Sequence, residues 1–364
     1  MSLSKLSDAG VSIWLDDLSR ERLTPGGKAK HLSELISASH VVGVTTNPAI
    51  FSSAISSSPL YKEDILRFRE AGLDTEEIIA ELTCSDVKNA CEIFRRTYEV
   101  SEGVDGRVSI EVDPRFARDT DSTIKQARYL WEKVNMPNLL IKVPATREGL
   151  PAIRQLISEG ISVNVTIIFS VARYKEVLAA FISGITDRAS SGLPVSGIHS
   201  VASFFVSRVD TEIDPQLKEL QLESLLGKSA IANARLAYQH FSEVYESLEW
   251  KNLATSGASI QRPLWASTGV KDPNYDPAMY VNELVARHTV NTMPEATLEA
   301  AANSQNFKGD SITGKYLDSE MIMSELEKNG IEMEKVADKL EEEGIEKFIK
   351  PWLNLISVVE KVTH

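Results

Sequence analysis

Lys142 lies in NLLIKVP, residues 138–144, with Leu139, Ile141 and Val143 alternating around it. Successive strand side chains point to opposite faces, so the apolar row looks one way and Lys142 the other. SVNVTIIF at 162–169 repeats the pattern, with Asn164 and Thr166 opposing Val163, Val165 and Ile167. The same alternation sets Glu111 against Ile110 and Val112, Asp16 against Leu15, Asn47 against Thr46, and Ser203 against Ala202 and Phe204. An amine, two carboxylates, two carboxamides and two hydroxyls thus share one set of strand faces. Together they suit carbonyl chemistry. An ammonium enclosed by apolar walls loses solvation, which favours the neutral amine that attacks a ketone. Imine formation then needs protons moved as the carbinolamine dehydrates, and carbon–carbon cleavage needs a base for a hydroxyl proton. Two carboxylates on different strands can divide those tasks.

Singly, each residue has a plainer reading. A strand lysine more often meets solvent or a carboxylate, a lone Glu111 or Asp16 more often pairs or caps, and Asn47 before Pro48 fits an ordinary turn. It is their concentration that needs a reason, because parallel barrels normally fill their interiors with Val, Ile and Leu. Beyond the strands, Arg208 and the pair Ser267 and Lys271 offer charge-assisted hydrogen bonds to an anion such as a phosphate.

The elements that must position these groups are short, β-branched and separated by helical patterns, as in parallel strands joined by crossover helices. Strands are predicted over 11–16, 41–46, 108–113, 138–144, 162–169, 198–206 and 262–267, with a weaker one over 287–292. Eight such units predict an α/β fold, a single (β/α)8 TIM barrel spanning residues 1–364. Leu150, Ile153, Leu156 and Ile157 predict a helix that Gly160 ends, Tyr174 to Ile182 another, and Asp121 or Ser122 is the expected N-cap of a third. Residues 52–105 and about 317–364 exceed a minimal barrel and are expected to be helical additions. The run EKVADKLEEEGIEKFIK is the solvated face of an amphipathic helix on this reading.

Hydrophobic residues make up 43% of the 364, enough for a large core. Lys and Arg number 39 against 52 Asp and Glu, so the net charge of -13 argues against a nucleic-acid or acidic-membrane binder, and an anionic substrate needs a local cationic pocket. Cys84 and Cys91 have neither metal-type spacing nor the count of a disulfide framework. The N-terminal segment lacks a signal-peptide pattern and no stretch is long and apolar enough to span a membrane, so a cytoplasmic protein is expected. A monomer or homodimer is expected.

VVGVTTNPAIF, RVSIEVDPRFARDT, NLLIKVPATREGL and ISVNVTIIFS, in this order, resemble the transaldolase family, in its longer bacterial branch. The resemblance runs from about residue 11 to about 300. It implies a (β/α)8 barrel whose Schiff-base lysine, on the fourth strand, is Lys142. It further implies that Lys142 attacks fructose 6-phosphate or sedoheptulose 7-phosphate, that Glu111 and a water held by Thr166 move protons, and that Asp16 deprotonates the C4 hydroxyl; adjacent Asp17 is its rival. Asn47, Asn164 and Ser203 would position hydroxyls, Phe205 would shape the pocket and Arg208 would bind phosphate. No metal or organic cofactor is implied. Many relatives read Ala-Ser-Phe-Arg after the seventh strand, whereas this chain reads WASTGVKDP; Lys271, helped by Ser267, is expected to supply the missing charge.

Two alternatives remain open. A fructose 6-phosphate aldolase would share the lysine and barrel but release free dihydroxyacetone; the added helices and the Glu111–Thr166 arrangement favour the transfer enzyme. A non-catalytic sugar-phosphate-binding barrel would be expected to lack one of Lys142, Glu111 or Asp16, and all are present.

Overall fold

The computed structural model describes residues 2–362. Eight parallel strands close into one barrel in sequential order: β1 Val11–Leu15, β2 Val41–Val44, β3 Arg107–Glu111, β4 Leu139–Pro144, β5 Val163–Ile168, β6 Ser200–Phe205, β7 Gln261–Ala266 and β8 Thr289–Met293. Every strand expected from alternation is present, including the weakly patterned last one. The rows expected to face the helices are fully buried: Leu139, Ile141 and Val143 on β4, Val163 and Val165 on β5. Each such side chain contributes about 1.5–3 kcal/mol through removal from water.

The interior is stacked in levels. Ser12, Trp14 and Asp16 follow one another on one row of β1, so the indole lies below the carboxylate. Trp14 is opposite Gly43, where a Cβ would stand 2.6 Å from the indole; only glycine leaves the ring its place. At the lower end Arg262 Nη1 donates to Ser12 Oγ at 2.7 Å, and its Nη2 donates to the Val104 carbonyl at 2.7 Å and Asp105 Oδ1 at 3.1 Å. Arg107 Nε donates to the Gly103 carbonyl at 2.7 Å beside it. At the upper end the register pairs Glu111 with Lys142 and Lys142 with Asn164, which brings these three polar residues to one level.

Helices pack around the barrel with caps readable in the chain. Gly160, in the left-handed region at φ 91, closes the helix Gly149–Glu159. The helix Thr120–Val134 is capped by Asp119, which accepts from Ser122 N, and not by Asp121 or Ser122; the helix starts a turn earlier than its apolar spacing indicates. The region 52–105 is mostly helical, and its main helix, Thr75–Ile93, starts with an Asp74–Glu77 capping box and buries Ile78, Ile79, Leu82 and Val87.

The C-terminal region holds the helices Tyr316–Lys328 and Met333–Val362; expected positions 363 and 364 lie outside the described residues. The second helix is amphipathic, but solvation accounts for only one of its faces. Val336, Leu340, Gly344 and Phe348, spaced by four, are buried on the other. At Gly344 the helix packs on the side chains of Arg208, Ile167 and Phe169, which a Cβ there would meet at an ordinary contact distance of 3.6 Å. The helix therefore passes over the upper mouth of the barrel.

Candidate active site

At the ends of β3 and β4, Lys142 Nζ lies 3.0 Å from Glu111 Oε2 and donates to the Thr46 carbonyl at 3.1 Å. Both side chains are enclosed, at 5% and 3% exposure, so this contact is not weakened by water as a surface ion pair would be. Burial raises the Glu111 carboxyl above the ordinary glutamate range, with the Lys142 charge opposing that shift. A proton can cross the short contact from nitrogen to carboxylate, which frees the amine lone pair. Glu111 Oε1 has no hydrogen-bond partner.

A cavity of about 190 Å³ opens above Lys142, lined also by Asp16, Asn47, Thr166, Ser203, Phe205, Arg208, Ser267 and Lys271. Of the residues singled out from sequence, nine therefore share one cavity, counting Lys142 with those eight. The other two support it. Glu111 faces an adjoining cavity and reaches the first through its contact with Lys142. Asn164 lies beneath, donating to Ser109 Oγ at 3.0 Å and accepting from Ser203 Oγ at 2.7 Å.

The two adjacent aspartates diverge. Asp17 Oδ2 accepts from Arg22 Nε at 2.6 Å, whereas Asp16 Oδ1 accepts from Thr45 Oγ1 at 2.7 Å and faces the cavity. Thr45 Oγ1 is also 2.6 Å from Thr292 Oγ1, so a hydroxyl relay supports the carboxylate. Burial raises the Asp16 carboxyl, with Lys142 and the Thr45 hydrogen bond opposing. A carboxyl shifted towards neutrality exchanges protons more readily near physiological pH than an exposed aspartate.

Thr166 Oγ1 is buried without a partner, which leaves it free for a water or a substrate hydroxyl. Just beyond it β5 bulges: the register to β6 shifts between Val165 and Ile168, and Ile167 adopts φ 57. Ile167 therefore does not continue the outward row expected from alternation. A β-branched residue in the left-handed region is strained, and here it meets the C-terminal helix at Gly344.

The cationic side of the cavity is built on the helix Ser207–Glu219. Arg208 stands over the Phe205 ring at 5.2 Å, and its Nη1 is buried with no partner. Burial lowers its affinity for the proton, with Glu343 and Asp16 opposing; an unpaired guanidinium donor is best satisfied by an anion. The loop after β7 brings Ser267, at φ 55, within 2.9 Å of Ser207 Oγ. Further along, Tyr275 Oη donates to Asp214 Oδ2 at 2.7 Å and Tyr280 Oη to Asp210 Oδ2 at 2.9 Å. Arg208 and the loop carrying Lys271 are thereby tied to one helix.

Sequence reasoning missed Thr45, Thr292 and Phe348. Thr45 shares the parity of Asn47 and was within reach of the alternation argument. Phe348 stands with its ring 5.4 Å from Lys142 Nζ, and no local pattern links it to a strand two hundred residues earlier.

Fold and site together define a (β/α)8 barrel with a lysine–carboxylate centre at the C-terminal ends of its strands. The chain belongs to the transaldolase/fructose-6-phosphate aldolase family, whose profile matches residues 13–359. It is 50% identical over 360 residues to a protein of Thermobifida fusca named transaldolase, covering 98% of this chain and 97% of that one. Transaldolases of Saccharopolyspora erythraea and Mycolicibacterium smegmatis are each 51% identical, over 361 and 362 residues, covering 99% of this chain and 97% and 96% of theirs.

Proposed function

We propose that the protein is a transaldolase that moves a dihydroxyacetone unit from fructose 6-phosphate or sedoheptulose 7-phosphate to an aldose phosphate, in the non-oxidative pentose phosphate pathway. The observation that carries this reading is the enclosed Lys142–Glu111 contact of 3.0 Å beneath a cavity that also holds Asp16 and Arg208. Lys142 attacks the ketone carbon after passing a proton to Glu111. Glu111, with a water on Thr166, returns protons as the carbinolamine loses water and the imine forms.

Asp16 then takes the proton of the C4 hydroxyl, the C3–C4 bond breaks, and glyceraldehyde 3-phosphate or erythrose 4-phosphate departs. The electron pair stays on the lysine-bound three-carbon unit as a carbanion delocalised into the imine. A second aldehyde accepts it and the steps reverse. Asn47, Asn164 and Ser203 orient hydroxyls, Phe205 walls the cavity, and Arg208, Ser267 and Lys271 receive the phosphate.

The chain acts as one domain on this reading, residues 1–364, because the helices of 52–105 and the helices Tyr316–Lys328 and Met333–Val362 share one contiguous apolar core with the barrel. A cytoplasmic location fits two buried cysteines that form no disulfide. Among the described residues no helix is long and apolar enough to cross a membrane.

Borohydride trapping tests the proposal. The protein is incubated with fructose 6-phosphate, reduced and mapped by mass spectrometry, with Lys142→Ala as control. The expected result is a dihydroxyacetone-sized adduct on Lys142 that disappears on adding erythrose 4-phosphate while sedoheptulose 7-phosphate forms. No adduct, or one on another lysine, overturns it.

A further inference from the structure

Transfer and hydrolysis diverge at one intermediate. Once the first aldose phosphate has left, the three-carbon unit is held on the lysine until an acceptor arrives or water intervenes. In the second case Asp16 returns its proton to the carbanion carbon, giving an iminium. Water then adds to the iminium carbon and the bond to the lysine nitrogen breaks. The water oxygen becomes the ketone oxygen of free dihydroxyacetone, and both water protons leave on the nitrogen as the ammonium. No oxidant or cofactor enters. Whether the protein transfers or merely cleaves thus depends on how well water is kept from the iminium carbon.

The walls around Lys142 are largely polar: Asp16, Asn47, Thr166 and Ser203 all line the cavity and all attract water. The exception directly over the nitrogen is Phe348, whose ring centroid is 5.4 Å from Lys142 Nζ. It is 6% exposed, lines the same cavity and comes from the C-terminal helix Met333–Val362, outside the barrel. Its place is secured from both sides. One turn earlier Gly344 packs beside the side chains of Arg208, Ile167 and Phe169, and about two and three turns later Leu355 and Val359 are fully buried. An aromatic face also favours a cation held over it, so the ring meets the ammonium and the iminium alike without offering water a hydrogen bond.

The geometry points to Phe348 as a residue that biases the protein towards transfer over hydrolysis: with Phe205 walling the same cavity, it roofs the Lys142 imine, excludes water from its carbon and holds the three-carbon unit for the incoming aldehyde. This rests on the lysine-imine reading above.

The test supplies fructose 6-phosphate and erythrose 4-phosphate and measures free dihydroxyacetone against sedoheptulose 7-phosphate formed. In Phe348→Leu the hydrocarbon roof is thinned, and the released share rises about threefold; in Phe348→Ala it rises about tenfold or more, in line with roughly 1.4 kcal/mol of lost protection per decade. The borohydride-trappable adduct, followed without acceptor, decays faster in the same order. A residue that only packs would lower both products together and leave their ratio unchanged, and that result in either variant overturns the proposal. If Phe348→Ala does not fold, the ratio in Phe348→Leu decides. A parent protein that already releases all its dihydroxyacetone overturns it too. Absence of any Lys142 adduct in the parent is a different failure: it removes the imine reading and this proposal with it.

Discussion

Both ends of the barrel interior bury charge, and they treat it differently. At the lower end Arg262 is 7% exposed and its donors meet Ser12, Val104 and Asp105, while Arg107 is 1% exposed and donates to Gly103 and Pro137. His199, beside these two cations, is pushed down to about 3 by burial and by both guanidiniums, so it stays neutral and adds no charge. At the upper end Thr166 Oγ1, Glu111 Oε1 and Arg208 Nη1 are buried without partners around an open cavity. The lower cluster spends most of its hydrogen-bonding capacity on the chain itself; Arg107 Nη2 is buried without a hydrogen-bond partner, but that guanidinium lies over the Tyr98 ring, 5.0 Å from its centroid, and not beside a cavity. The upper one keeps donors and acceptors unspent, at a cost in stability, and groups kept that way are available to a substrate. Substitutions at the lower end should therefore change stability and leave chemistry alone, with the reverse at the upper end.

The largest effect is expected at Lys142. Lys142→Ala removes the nucleophile, so turnover and the borohydride adduct are both lost while the folded protein remains; substantial residual transfer would show that the centre lies elsewhere. Asp16→Asn comes next. It keeps shape and the Thr45 contact but cannot accept a proton, and kcat should fall about 10²–10⁴-fold, the usual range for a general base. Adducts should still form on Lys142 from dihydroxyacetone itself, since that step needs no bond cleavage. Equal loss of both steps would move Asp16 out of the cleavage role.

Arg262→Met sharpens the comparison from below. Removing one partner of a buried pair leaves Asp105 without its cation, and because Asp105 is 21% exposed the low end of the usual cost applies, about 3 kcal/mol. Denaturant unfolding should register that loss while kcat per folded molecule is unchanged; a large fall in kcat would break the division between the two ends. Lys271→Ala is a milder change. It removes a point charge at the cavity edge, and KM for phosphorylated substrates should rise about tenfold, or about 1.4 kcal/mol, with kcat preserved. An unchanged KM would leave phosphate binding to Arg208 and Ser267 alone.

Strand alternation carried most of the fold and much of the site. Lys142, Asn164, Thr166 and Ser203 were legible because one polar residue facing an apolar row is a local pattern, and a barrel turns local parity into a shared interior. Legibility failed where the backbone leaves its regular period or where distant segments meet. The bulge at Ile167 breaks the alternation through one positive φ that no residue type announces. The split between Asp16 and Asp17 depends on Arg22 reaching back to claim the second carboxylate. Phe348 sits in a run whose charges suggested a solvated helix; which helix face is buried is set by the barrel mouth beneath it, a tertiary fact absent from the run itself.

The smallest effect is one of sign. Asp16 has a folded-state affinity for its proton raised above the ordinary aspartate value of 3.8, chiefly by burial, so between that value and its higher folded value the native state binds more protons than the unfolded chain. Its contribution to stability is fully present below pH 3.8 and declines as pH rises through the window up to the folded value. Asparagine has no such titration. Asp16→Asn should therefore be more stable than the parent near neutral pH, and the advantage should shrink as the pH is lowered towards 4, as followed by denaturant unfolding across that range. A variant that loses activity and gains stability is expected of an end of the barrel built for substrate. If Asp16→Asn instead destabilises the protein at neutral pH, the carboxylate is a satisfied structural group, and the upper end resembles the lower one more than its unpartnered atoms indicate.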